Sequence, residues 1–174
     1  NSCASFLISS SSHGVIINTE NPRRPVVISE YDDEAINVWH QSDPVTIGDR
    51  EFLIVEDEVG GAAAPGVCPT GGVHVFDISD ETIPVKVGYF NIADPAVRNA
   101  DDTCTAHVFD IHEDKQIMTI AYYMGGVRVL DLSGLADAPV GIGQGGTAVG
   151  GAIREIGHYV MDDANAWSAK TPFI

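Results

Sequence analysis

One unit recurs along this chain and limits what it can fold into. Its clearest copy runs Gly72-Val73-His74-Val75-Phe76-Asp77-Ile78-Ser79, followed after a short turn by Pro84-Val85-Lys86-Val87-Gly88-Tyr89. Alternating side chains mark two strands, and Asp77 with Ser79 supplies short polar side chains that bond nearby backbone N–H groups. Pro84 favours extended backbone on either side of itself. The unit returns as Gly126-Val127-Arg128-Val129-Leu130-Asp131-Leu132-Ser133, with Arg154 to Tyr159 as its second strand. An earlier copy, one residue shorter after its glycine, runs from Gly14 through Asn18 and Pro25 to Tyr31. The glycines at 14, 72 and 126 are 58 and 54 residues apart, a spacing typical of propellers and solenoids.

Composition agrees with a packed all-β chain: 44% of residues are apolar, and 18 glycines and 9 prolines punctuate short strand-like runs. No apolar run approaches the ~20 residues of a spanning helix. A net charge of −16, from 9 basic and 25 acidic residues, excludes a nucleic-acid backbone as partner. It fits a solubilising surface, with attraction for cations or basic partners as the alternative.

The expected fold is therefore a β-propeller of four-stranded antiparallel blades. Residues 1–31 form a partial blade, 35–90 and 103–160 form two blades, and 163–174 supply the first strand of another. Within the second repeat, Ala35 to His40 and Arg50 to Val55 read as the first two strands. In the third, Thr103 to Ile111 and Gln116 to Tyr123 take those places. About three blades are fewer than a propeller needs to close, so the chain reads as part of a six- to eight-bladed propeller. Closure by pairing of two copies is the alternative. The insertions 57–71 and 134–152 read as loops.

The repeated Gly-Val-x-Val-Phe-Asp-Ile-Ser…Pro-Val-x-Val-Gly-Tyr pattern resembles the LVIVD-repeat family of β-propeller proteins. The matching pieces are Val73 to Asp80, Val127 to Ser133 and, more loosely, Val15 to Pro25. The third repeat departs from the pattern where residues 134–152 interrupt its turn. The resemblance implies a secreted or surface repeat protein and carries little about activity.

Candidate sites follow from the repeats. His40 and His107 occupy equivalent places near the end of a first strand, which in a propeller lines the central channel. Neutral imidazole is the commonest side-chain metal ligand, so the pair is a candidate copper or zinc site. Propellers of the selenium-binding, methanethiol-oxidase type, thought to hold copper through histidines, offer a similar case. The alternative is that both rings lock blades by bonding backbone, and Ser168 at the next equivalent place weakens a histidine ring. The acidic groups Asp32-Asp33-Glu34, Asp101-Asp102 and Asp162-Asp163 each precede a repeat, a placement compatible with calcium or with a solvated rim. His74, His112 and His158 read as outward or edge residues. Cys68 and Cys104 flank one blade junction, where they form either a disulfide of an extracytoplasmic protein or two buried thiols. Cys3 is then unpaired or pairs outside this sequence. No nucleophile elbow and no phosphate-loop lysine accompany the serine run or the Gly-rich segments.

Two functions remain open from sequence. One is a non-enzymatic extracellular or cell-surface module that contacts protein, glycan or itself through its loop faces. The other is a metal-dependent copper oxidase centred on His40 and His107.

Overall fold

The computed structural model describes residues 4–9, 13–58, 68–93, 103–138 and 152–170. They form an all-β structure of three antiparallel sheets, each a meander in chain order. The first sheet contains β1 (Ala4–Ser9), β2 (His13–Asn18) and β3 (Val26–Tyr31). The second contains β4 (Trp39–Ile47), β5 (Arg50–Asp57), β6 (Val73–Asp77) and β7 (Val85–Phe90). The third contains β8 (Phe109–His112), β9 (Ile117–Ala121), β10 (Val127–Asp131) and β11 (Arg154–Tyr159).

The sequence repeat corresponds to a structural one, down to its irregularities. Between the last two strands of every sheet the register slips by one residue at the same place. Ile16 faces Ser29 and Ile17 faces Val27; Val75 faces Gly88 and Phe76 faces Lys86; Val129 faces Gly157 and Leu130 faces Glu155. Ile28, Val87 and Ile156 are thus the extra residues of three equivalent β-bulges, which bend and twist the outer strand. The turn that follows is also shared: Asn18, Asp77 and Asp131 each accept, through Oδ1, the N–H of the residue two ahead at 2.9 Å. The glycine just before β6 and β10 allows close approach. A Cβ on Gly72 would lie 2.6 Å from the Phe90 carbonyl oxygen, and Gly126 has φ +79°.

Two apolar layers hold the sheets together. Ile16 and Tyr31 of the first sheet meet Leu53, Val55, Phe76 and Ile78 of the second, with Trp39 between them. Tyr31 lies 5.5 Å from Trp39 and 5.3 Å from Phe76, centroid to centroid. Between the second and third sheets, Ile54, Val75 and Val87 pack with Phe109, Met118, Ile120 and Leu130.

The first strands differ from the sequence reading. In the second repeat the strand begins at Trp39 rather than Ala35, because carboxylates capture the backbone before it. Asp33 accepts the Ala35 N–H at 2.9 Å, and Asp57 accepts those of Asn37 and Val38 at 3.2 and 2.8 Å. The strand instead runs on through Pro44, which is tolerated because β4 is an edge strand. In the third repeat residues 103–107 bond to other segments and the strand starts at Phe109. His107 donates its N–H to Ala121 and Thr103 accepts from Met124. Residues 113–115, between β8 and β9, form a single 3-10 turn closed by Gln116 at φ 54°. The segment after Asp162 lies against the third sheet, with Ala166 bridging Tyr123 and Ser168 bridging Val108 in parallel. Most of the two insertions, together with Cys3, Asp101 and Asp102, lies outside the described residues.

Candidate metal centre

His40 owes its orientation to backbone irregularity. In the β4–β5 ladder Trp39 faces Asp57 and Gln41 faces Glu56, so His40 has no partner in the register. Such a bulge re-aims the side chain. His40 Nδ1 lies 2.8 Å from Oε2 of Glu56, whose side chain is fully buried. Burial raises the Glu56 pKa to about 7 against the pull of His40, and the bond from Glu56 in turn raises that of His40.

His107 lies just before β8, buried, with its ring stacked on His40 at 4.8 Å and 22°. Its Nδ1 lies 2.5 Å from the Trp167 carbonyl oxygen. A carbonyl can only accept, so Nδ1 carries a proton, and in the neutral ring Nε2 is the nitrogen with the lone pair. An ionised Glu56 can only accept from His40 Nδ1, which gives neutral His40 the same tautomer. Both Nε2 atoms then face one carboxylate: Glu58 Oε1 is 3.5 Å from His107 Nε2, and Oε2 is 3.7 Å from His40 Nε2.

Glu58 sits one residue beyond β5, held there by its N–H bond to Val38. Tyr123 donates its hydroxyl to Glu58 Oε1 at 2.5 Å, and burial followed by this bond raises the phenol pKa. Tyr123 has φ +48°, a left-handed conformation uncommon for a large side chain and often found at functional sites. Two backbone hydrogen bonds to Ala166 hold it there.

The donor atoms of His40, Glu58 and His107 all lie within 4.8 Å of one another. Ligands about 2.0–2.1 Å from a shared tetrahedral ion stand about 3.4 Å apart, close to the two imidazole–carboxylate separations. Each imidazole also has the outer hydrogen bond that orients metal-binding histidines, one to a carboxylate and one to a backbone carbonyl. Among the described residues this is where three metal-ligating side chains converge. Asp33 is instead paired with Lys86.

The structure thus brings His40 and His107 together, while Ser168 takes part in the backbone bridge to Val108. It also joins Cys68 to Cys104 in a disulfide with Cα atoms 4.8 Å apart. That bond ties Cys68, ten residues after Glu58, to the lead-in of His107. His158 is exposed and His112 half-buried, but His74 is buried rather than solvated, its ring edge against Tyr89 at 4.8 Å. Glu56, Glu58, Tyr123 and Trp167 were not among the sequence candidates. The available signal was Glu56, a charge directly following the apolar run Phe52 to Val55.

No family model matches the chain, and no curated protein matches it.

Proposed function

We propose that this is an extracytoplasmic β-propeller repeat protein of the LVIVD kind that binds a transition-metal ion through His40, His107 and Glu58. The observation that carries the metal reading is the convergence of two Nε2 atoms on one carboxylate, with both Nδ1 atoms held by outer partners. The propeller reading draws support from three meander sheets with the same bulge and the same Asx turn. The Cys68–Cys104 disulfide supports an oxidising compartment.

Two imidazoles and a carboxylate leave coordination positions open, and His40 is half-buried, so the centre is partly exposed to solvent. This favours a metal-dependent oxidase over a module acting through loop contacts alone. Copper(II) stands highest in the affinity order of divalent first-row ions, so it is the ion to test first. Copper titration followed by electron paramagnetic resonance should give one ion per chain with coupling to two nitrogens. His107→Ala and Glu58→Gln should each weaken binding at least about tenfold. Unchanged stoichiometry and affinity in both variants, or no stoichiometric binding by the native chain, would overturn the reading.

A further inference from the structure

The three sheets carry equivalent apolar positions on the face towards the next repeat, and these are covered in two sheets but open in the third. In the bulge register Ile16, Ile28 and Tyr31 correspond to Val75, Val87 and Phe90, and to Val129, Ile156 and Tyr159. The first set packs against the second sheet and the second set against the third. In the last set Val129 is only half-buried, while Ile156 and Tyr159 are 51% and 69% exposed. An aromatic pair repeats the contrast. Trp39 follows Tyr31 by eight residues, as Trp167 follows Tyr159, yet Trp39 is fully buried and Trp167 is 62% exposed.

The first sheet has the opposite face open. Ile17 and Val27 face each other across β2 and β3 at the places of Phe76 and Lys86. Phe76 and Lys86 are buried against the first sheet and its connector, whereas Ile17 is half-buried and Val27 is 51% exposed. The chain therefore exposes the two complementary halves of a junction that it makes twice internally.

We propose that a second copy of this chain fills them. The Val129–Ile156–Tyr159 face of one copy packs on the Ile17–Val27 face of the other, and the reverse contact closes a ring of six sheets. A head-to-tail contact that closes on itself gives a finite assembly rather than a fibre, and six blades lie within the range in which propellers close. The first sheet offers a further contact. Among the described residues it has three strands where the others have four, and β1 is its edge. An unpaired edge is a ready template for another strand, here the partner's segment around Ala166 to Ala169. The proposal rests on the propeller reading and needs no metal at the His40–His107 centre.

Sedimentation equilibrium of the 174-residue chain at micromolar concentration tests it. The expected species has twice the 18.5 kDa chain mass. Tyr159→Glu and Val27→Glu lie on opposite faces, and each should weaken association roughly thirtyfold or more. Both positions are surface-exposed within one chain, and circular dichroism checks that each variant keeps its strand content. Trp167 is left intact because its carbonyl holds His107. Mixing the two variants restores one sound junction and should recover two-chain particles. A native chain of single mass would overturn the proposal, as would a dimer that both variants leave unchanged.

Discussion

The second and third sheets place charge at the same register positions and neutralise it differently. Lys86 and Glu155 are equivalent, as are His74 and Arg128. In the second sheet the counter-charge comes from outside. Asp33, in the connector from the first sheet, pairs with Lys86, and the two side chains are 3% and 5% exposed. In the third sheet it comes from within: Arg128, fully buried, reaches Glu155 at 3.3 Å, and Glu155 stays 23% exposed. Covering both faces of a sheet forces each charge to find a partner from a neighbouring element. A sheet covered on one face lets one member of the pair remain in water, where the ion pair contributes less.

The largest break in this comparison is Asp33→Asn. Burial works to raise the Asp33 pKa, but its bonds from Lys86 and the Ala35 N–H outweigh burial and leave it lowered. Losing that charge strands Lys86, and chemical denaturation should show a cost of about 3–5 kcal/mol. Adding Lys86→Met should recover most of the loss. If the double variant is no more stable than the single one, the pair is not what couples the two sheets.

His74 gives the next effect. Desolvation by burial lowers its pKa to about 3, from an ordinary value near 6.5. Between those values the unfolded chain binds more protons than the folded one, so acid favours unfolding. The native chain should lose about 2–3 kcal/mol between neutral pH and pH ~4.5 that His74→Leu does not lose. Parallel stability–pH curves for the two proteins would count against a buried neutral imidazole.

The third sheet should tolerate more. Glu155→Gln should cost about 1 kcal/mol, since Arg128 still donates to the Gly125 carbonyl at 2.7 Å and 3.0 Å. A loss as large as that of Asp33→Asn would erase the distinction between the sheets. Arg154→Ala removes a partner of Asp131 that is 76% exposed, and thermal unfolding should report a change under about 0.5 kcal/mol.

Much of this architecture is legible in the residues. The Gly-Val-x-Val start and the Asx turn marked β6 and β10 with their turns, since alternation and short polar side chains act locally. The last strands were equally plain, apart from the bulges. The first strands were not, because Asp33 and Asp57 capture backbone N–H groups of residues 35–38 and shift the start of β4 to Trp39. His74 reads as a solvent-facing residue in an alternating strand, yet both faces of its sheet are covered.

At the candidate site the two histidines were visible as repeat equivalents, but Glu58, Tyr123 and the Trp167 carbonyl were not. What the sequence determined by itself was the repeating unit, with its strands, turns and glycines, because each rests on residues close together in the chain. What only the tertiary structure decided was which sheet is covered on both faces and which lone pairs meet. Those depend on contacts between residues 18 to 68 positions apart, such as Glu58 with His40, His107 and Tyr123 and Phe109 with Gln41. Local pattern cannot specify such contacts, since they form only once whole sheets pack.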